Sequence, residues 1–230
     1  GSIAGQVTGA LKADLREFFP VAMMVEETTL VAVRADSPLR SAAEMVDRLR
    51  KDPESLKIAV APLRGLNLHL AIAKPLKLAG VDVARLTVVP FRSSGESVTT
   101  LLGGHIDVVI ATSPTVTPLA QSGKLRMLAS CAATRGSGPL AEVPTWRELG
   151  IAADYVSYNG VLLPPGVDAE QIRFWEGALR KVSESAEWRQ LVEKSGNKPL
   201  FKGYVDSHRY LQSELKETQE LVASLGAGAR

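Results

Sequence analysis

One stretch of the chain, from Val88 to Asp107, constrains the fold more than any other. A β-branched run ends at Pro90-Phe91, a small polar loop follows, and a helix pattern then stops at a glycine pair before a new apolar run. This order of strand, loop, helix and strand is typical of an α/β fold with parallel strands. The loop offers hydroxyls and free backbone N–H groups at a positive helix end, which can bind an anion without any catalytic group.

Strand and helix patterns alternate along most of the chain, as an α/β fold requires. Predicted strands cover residues 28–33, 57–61, 86–91, 107–111 and 125–131, and an extended run covers 155–163. Predicted helices cover residues 42–50, 68–78, 116–121, 169–184 and 205–225, and a short helix capped by Thr145 ends at Gly150. Ser41 is the expected cap of the first of these helices.

Composition and charge exclude several classes of protein. The 27 basic and 25 acidic residues give a net charge of +2 and are interspersed, so no basic stripe indicates a nucleic-acid partner. The single cysteine, Cys131, cannot form an intramolecular disulfide and is expected in the core. No segment is apolar and long enough to span a bilayer, and the N-terminus lacks the pattern of a signal peptide.

Three loops are expected to converge on one cleft, because ligands bind at the carboxyl ends of the strands in open α/β sheets. Gly65 allows close backbone approach, and Arg64 offers a fork for a carboxylate. The other candidate contacts in these loops carry polar side chains: Asn67, His69, Ser93, Ser94, Thr112 and Ser113. Tyr158 and Asn159 are expected to face the cleft from the extended run.

Each of these residues also has a simpler interpretation. The serines and threonines are equally typical of helix caps, and Arg64 of a solvated surface position. Tyr158 and Asn159 are equally consistent with an ordinary exposed strand pair. His69 is expected to shape the loop through a hydrogen bond more often than to touch a ligand. The residues alone leave these alternatives open.

Enzyme motifs are missing from the chain. It contains no Gly-x-Ser-x-Gly, no phosphate-binding Gly-x-x-x-x-Gly-Lys-Ser/Thr and no Gly-x-Gly-x-x-Gly. The three histidines are separated in sequence and have no cysteine partners, so no zinc site is expected. A set of Ser94, His69 and Asp107 can be imagined as a triad, but Asp107 is better explained as a residue that pairs at a strand start. We therefore expect no enzyme, no metal and no cofactor.

Several further motifs occur together in an order that resembles a known family. They are Phe-Phe-Pro-Val-Ala at 18–22, Asp-Ser-Pro at 36–38, Leu-Leu-Gly-Gly-His-Ile-Asp at 101–107, Gly-Lys-Leu-Arg-Met-Leu-Ala at 123–129, Val-Pro-Thr-Trp-Arg-Glu-Leu-Gly at 143–150 and Gly-Val-Leu-Leu-Pro-Pro-Gly-Val at 160–167. Over residues 15–225 the combination is similar to the substrate-binding receptors of tripartite tricarboxylate transporters, the Bug family.

The resemblance implies a two-lobed α/β fold of the type II periplasmic-binding-protein class, the Venus flytrap. Residues 1–34 and 156–230 would form the first lobe and residues 35–155 the second. It also implies an extracytoplasmic, periplasmic and monomeric receptor, which holds a di- or tricarboxylate or an aromatic carboxylate for the membrane permease of the transporter. A ligand-sensing regulatory module of the same fold, acting through protein contacts, is the alternative.

The chain departs from the family pattern at its beginning and in one loop. Family members carry a further N-terminal region, so we expect the N-terminal part of the first lobe to be missing. In the loop before His69, Leu66 and Leu68 stand where small polar residues are usual. We expect the backbone N–H groups of this loop to hold the carboxylate, and the two leucines to favour an apolar ligand body, either aromatic or branched.

Overall fold

The computed structural model describes residues 2–224. Its strands are β1 (Phe19–Glu27), β2 (Thr29–Arg34), β3 (Lys57–Val60), β4 (Thr87–Pro90), β5 (Val108–Thr112), β6 (Leu125–Ser130), β7 (Ser157–Leu163) and β8 (Lys198–Lys202). Its α-helices are α1 (Ser2–Thr8), α2 (Ala42–Lys51), α3 (Asn67–Leu78), α4 (Ser94–Leu102), α5 (Ser113–Gln121), α6 (Ala169–Glu184), α7 (Ala186–Lys194) and α8 (Tyr204–Ser224).

The strands form two sheets, a five-stranded one in the order β4-β3-β5-β2-β6 and a three-stranded one in the order β7-β1-β8. In the larger sheet, β3 runs parallel to β4 and β5, whereas β2 runs antiparallel to β5 and β6. In the smaller sheet, both pairings of β1 are antiparallel. The predicted α/β class is confirmed, with a mixed rather than a purely parallel larger sheet.

Both faces of the larger sheet are covered, because its strands are apolar at successive positions. Ile58 and Val60 of β3 pack in one core, together with Met45 of α2 and Leu70 of α3. Ala59, which points to the opposite face, packs in a second core with residues of α4 and α5, among them Val98, Leu101 and Val116.

The smaller sheet packs against helices from both ends of the chain. Val21 of β1 and Leu163 of β7 form a core to which Ile172 and Leu179 of α6 and Trp188 of α7 contribute. Helix α8 also contacts β1, and its Leu211 and Leu215 pack with Leu15 and with Ile3 and Val7 of α1. Among residues 2–224, no helix combines the length and the apolarity that crossing a bilayer requires.

The chain passes between the two sheets at Thr28 and again between β6 and β7. The backbone N–H of Thr28 donates a hydrogen bond to Oδ1 of Asn197, which lies just before β8 (3.0 Å). Residues 29–34, which the predicted first lobe includes, form β2 and pair within the larger sheet. The bounds of the two lobes stay a prediction. In the structure the chain changes from the smaller to the larger sheet at Thr28, whereas the predicted bound is residue 34.

Several element predictions were wrong or incomplete. The expected short helix after Thr145 is a series of turns, although the Thr145 hydroxyl does accept a hydrogen bond from the N–H of Glu148 (3.3 Å). Helix α5 begins at Ser113 instead of residue 116, since Pro114 is compatible with the first helical turn. Strands β1 and β8 were not predicted. The end of the last predicted helix, at residue 225, lies outside the described residues.

Candidate ligand-binding site

The carboxyl ends of β3, β4 and β5 lie along one edge of the larger sheet. Strand β2 starts at the same edge, since Thr29 pairs with Thr112 at the end of β5. Helices α3, α4 and α5 begin directly after these three strand ends. The three predicted loops therefore lie at the edge where the chain arrives from the smaller sheet.

The loop between β3 and α3 is held by a hydrogen bond inside the loop. Gly65 has a positive φ of 78° and its backbone N–H donates to Nδ1 of His69 (2.8 Å). This bond makes Nδ1 an acceptor, so the neutral ring carries its proton on Nε2. His69 is buried, and burial first and the charge of Arg64 second lower its pKa to about 4. This geometry supports the interpretation of His69 as a residue that shapes the loop.

Helix α3 begins without a side-chain cap. Its N-cap residue is Leu66, which has no side-chain acceptor for the N–H groups of the first turn. The Leu66 and Leu68 side chains are buried in the core of the larger sheet, with exposures of 7% and 6%. Neither leucine turns its side chain to the loop surface, so any contact of these two residues with a ligand is left to their backbone.

Arg64 is exposed, and its guanidinium lies on a strand. Nε and Nη2 both donate to the backbone carbonyl of Val88 in β4, the first at 3.0 Å. This carbonyl takes up two donors of the fork that the sequence analysis assigned to a carboxylate.

The starts of α4 and α5 use their predicted site residues for local bonds. The Ser93 hydroxyl accepts from the N–H of Glu96 (3.2 Å) and caps α4, whose first residue is the half-buried Ser94. The Thr112 hydroxyl lies 3.4 Å from that of Thr115. The Ser113 side chain is fully buried and its hydroxyl pairs with that of Thr117 (2.8 Å).

A cavity of about 180 Å³ lies between β7, α8 and the start of α3. It is lined by three of the predicted residues, Asn67, Tyr158 and Asn159, and by Ser157. Nδ2 of Asn67 donates to Oγ of Ser157 (3.2 Å), which connects α3 of the larger sheet to β7 of the smaller one. None of the residues that line this cavity belongs to α4, α5 or the loops before them, among those the structure describes.

Helix α8 contributes cavity residues that the sequence analysis did not assign to a site. Tyr210, Glu214 and Thr218 line the cavity, as does Tyr155 just before β7. The rings of Tyr158 and Tyr210 meet edge to face, with centroids 4.8 Å apart. Burial first and the nearby carboxylate of Glu217 second raise the pKa of Glu214. A glutamate between the inward Leu211 and Leu215 of an amphipathic helix is the signal in the sequence that could have indicated this role.

The described residues offer no alternative centre for metal chemistry. Within residues 2–224, no three His, Cys, Asp or Glu side chains are grouped so that they could hold a metal ion. Cys131 is fully buried, and burial raises the pKa of its thiol to about 11. The arrangement is therefore one of backbone N–H groups, amides, hydroxyls and one carboxylate around a cavity, which is suited to holding a small polar molecule.

Most of the chain matches the model of one known protein family. The model described as "Tripartite tricarboxylate transporter family receptor" matches residues 10–227. The chain belongs to this receptor family. The resemblance that the motifs indicated is thereby confirmed.

Two relatives show how much of a family member this chain represents. It is 28% identical to the "UPF0065 protein in gbd 5'region" of Cupriavidus necator, over 85% of this chain and 58% of the relative. It is 25% identical to the protein BugT of Bordetella pertussis, over 93% of this chain and 64% of BugT. The chain thus spans less than two thirds of the length of these receptor-family relatives.

Solved structures share the fold of this receptor. A structure described as a periplasmic transporter has a TM-score of 0.84 at 20% identity, covering 100% of this chain and 78% of the other. The R. palustris protein Rpa4515, solved with adipate, has a TM-score of 0.79 at 25% identity, covering 91% of this chain and 69% of the other. The predicted two-lobed fold of the periplasmic-binding-protein class is confirmed by this likeness.

Proposed function

We propose that the chain is part of an extracytoplasmic solute receptor that binds a small organic acid through a carboxylate group. The observation that carries this proposal is the start of α3. Gly65 and His69 fix the loop there, no side chain caps the helix, and Asn67 lines the cavity next to it. Backbone N–H groups at a helix start attract a carboxylate through their unused donors and the helix dipole.

The comparisons support the same class of ligand. The family is one of transporter receptors, and the R. palustris relative of the same fold was solved with the dicarboxylate adipate. In this proposal the backbone of residues 65–68 and the amide of Asn67 contact the carboxylate, while Tyr158 and Asn159 contact the ligand from the smaller sheet. Ser93, Ser94 and Thr112 lie at the same sheet edge and would join the site through their backbone or through lobe closure.

The body of the ligand is proposed to be aliphatic. The expectation of an aromatic or branched body rested on Leu66 and Leu68 facing the ligand, and both side chains are buried in the core instead. The fully buried Ser113 hydroxyl is likewise engaged by Thr117, so we leave it out of the ligand contacts. Arg64 would have to release the Val88 carbonyl before it could hold a carboxylate.

Two further parts of the proposal concern the protein's setting. We propose that the receptor acts outside the cytoplasm and delivers its ligand to a membrane permease, because the matched family is named for a transporter. Ligand contacts from both sheets would favour a closed arrangement of the two lobes over an open one. The contact of Asn67 with Ser157 is one bond that connects the two sheets in this way.

Calorimetric titration tests the proposal. Adipate, succinate, citrate and benzoate are titrated into the protein, and we expect saturable binding of at least one aliphatic acid and weaker binding of benzoate. The same acid should raise the unfolding temperature, because a ligand that binds only the folded state stabilises it. Absence of binding by every carboxylate would contradict the proposed function.

A further inference from the structure

One carboxyl group lines the cavity beside Asn67 without a cation bonded to it. Glu214 projects from the inward side of α8 and is half-buried. None of the ion pairs within residues 2–224 includes this residue. Lys74 is the cation that acts on it through space, and the ammonium of Lys74 pairs instead with Glu217 (4.0 Å).

The surroundings of the Glu214 carboxyl group are aromatic and hydroxylic. The side chains of Tyr210 and Thr218 line the cavity beside it, and the Tyr210 hydroxyl donates to the carbonyl of Val156 (3.3 Å). Tyr155 and Tyr158 complete this side of the cavity. A partly desolvated carboxylate among tyrosine rings is costly without a positive partner, and the same rings attract a positive charge through their faces.

The tyrosine rings already interact with one ammonium group of the chain. Nζ of Lys202 lies 4.2 Å from the ring centroid of Tyr158 and 5.8 Å from that of Tyr210. Lys202 approaches from β8 and does not line the cavity, and it forms no ion pair with Glu214. The side of the cavity formed by α8 and β7 therefore combines a carboxyl group with tyrosine rings, and such a combination can recognise an ammonium group.

The cavity residues of α3 and α8 are connected by a short series of bonds. Asn67 donates to Ser157, the neighbouring Val156 accepts from Tyr210, and Glu214 follows Tyr210 by one turn of α8. Asn67 at the start of α3 and the α8 carboxyl group border one space of about 180 Å³. A small molecule in this space would meet the amide of Asn67 and the carboxylate of Glu214.

We propose that the ligand of this receptor carries a positively charged nitrogen as well as a carboxylate, and that Glu214 binds the nitrogen. The proposal rests on the proposed function, which assigns the carboxylate to the start of α3, and it narrows the ligand to the class of amino acids and related ammonium carboxylates. A dicarboxylate would instead place its second negative charge against Glu214, where like charges repel. An acid with an apolar end would leave Glu214 unpaired.

Three six-carbon acids that differ only at one end test the proposal. Hexanoate, 6-aminohexanoate and adipate present a methyl group, an ammonium group and a second carboxylate, and a four-carbon series of butyrate, 4-aminobutyrate and succinate repeats the comparison at shorter length. Each acid is titrated calorimetrically into the wild-type protein, into Glu214→Gln and into Glu220→Gln. Glu220 is an exposed carboxylate on the same helix and serves as the matched control.

In the series of the right length, we expect the wild type to bind the amino acid about tenfold more tightly than the acid with a methyl end. Glu214→Gln should remove this preference, since glutamine keeps the size of the side chain but carries no charge. Glu220→Gln should retain it. The unfolding temperature of Glu214→Gln should not fall, because the substitution removes a desolvated charge.

Two outcomes overturn the inference, and they can be told apart. If the wild type binds the three acids of either length without favouring the amino acid, or if Glu214→Gln keeps the preference, Glu214 does not bind a ligand nitrogen and the proposed carboxylate receptor stands. If neither these acids nor the wider carboxylate panel bind, the proposed function fails and this inference fails with it.

Discussion

The backbone N–H of Gly65 donates to Nδ1 of His69, four residues further along the chain, over 2.8 Å. The bond spans the start of α3, with Gly65 before the helix and His69 in its first turn. Since the imidazole must be neutral to accept this bond, its protonation would break it. Nε2 is buried and has no hydrogen-bond partner among residues 2–224, so the ring has no second contact that would favour its charged form.

The pH dependence of stability should reveal this neutral histidine. The pKa of His69 is lowered from 6.5 to about 4 in the fold, so between these values the unfolded chain binds a proton that the folded protein does not. Stability must then rise with pH across this window and fall on acidification, by about 1.5 kcal/mol between pH 6.5 and pH 5. Denaturant unfolding at several pH values measures the change.

A matched pair of variants isolates the contribution of His69. His69→Gln keeps an acceptor for the Gly65 N–H but does not titrate, so its stability should change less between pH 6.5 and pH 5 than that of the wild type. His105→Gln, which removes an exposed imidazole after α4, is the control substitution. An unchanged pH dependence in His69→Gln would show that the ring titrates normally.

The conformation of the loop is expected to matter for ligand affinity. Gly65→Ala places a side chain at a φ of 78°, which costs about 1 kcal/mol of stability and shifts the backbone N–H groups of the loop. Gly123→Ala makes the same change at a φ of 73°, in a turn with open space around the added carbon. Titration with the best-binding carboxylate should show weaker binding for Gly65→Ala alone. Equal affinities of Gly65→Ala and Gly123→Ala would show that the conformation of this loop does not affect ligand binding.

The larger sheet was predictable because its strands are short apolar runs that turn or cap residues follow. Ile58 and Val60 turn to one core and Ala59 to the other, and the loop after β4 contains the helix cap Ser93. The strand β1 gives a weaker signal, since Pro20 interrupts the start of its apolar run. β8 is short and half-buried along its length, so its Lys-Pro-Leu-Phe-Lys sequence resembles a loop.

The site was predictable only where it is local in sequence. Gly65 and His69 are four residues apart, and their roles follow from loop and helix chemistry. Leu66 and Leu68 were misread, because an apolar residue at a helix start can turn inward as easily as toward a ligand. Glu214 lines the same cavity as Asn67 from almost 150 residues further along the chain, and no periodicity indicates which helix borders a cavity.

The bond between Asn67 and Ser157 should contribute to ligand binding through the position of the amide. Asn67→Asp replaces a donor with a carboxylate, which would repel a ligand carboxylate and weaken binding by at least about tenfold. Ser157→Ala removes the partner hydroxyl but leaves the amide free to contact a ligand, so a smaller loss is expected. Calorimetric titration measures the affinity of both variants. A larger loss of affinity for Ser157→Ala would mean that the bond to Ser157 matters more for binding than the charge at position 67.

Gly196 is expected to be intolerant of a side chain. An added Cβ would overlap the Ser113 hydroxyl and lie 3.2 Å from its Cβ, at a residue with a φ of 74°. Gly196→Ala should therefore cost about 2–4 kcal/mol of stability, the sum of backbone strain and overlap. Gly80→Ala, with a φ of 82° and open space around it, should show the backbone part alone.

A second variant separates overlap from strain at Gly196. Ser113→Ala removes the overlapping hydroxyl, so the double variant Gly196→Ala, Ser113→Ala should recover part of the stability that Gly196→Ala loses. Denaturant unfolding of the four proteins gives the coupling between the two positions. Additive losses would show that the turn before β8 moves away from α5 and avoids the contact.

The thiol of Cys131 should report opening of the larger sheet. Its side chain is fully buried and its pKa is raised to about 11, so at pH 8 the native protein holds roughly one thiolate per thousand thiols, none of it exposed. Alkylation by iodoacetamide should therefore be slow, should accelerate in denaturant and should slow further with a carboxylate that binds. The control is the double variant Cys131→Ser, Ser137→Cys, which carries its single thiol in an exposed loop. This thiol should be labelled rapidly under all conditions. Rapid labelling of the native wild type would mean that the strand end at Cys131 opens far more often than its burial indicates.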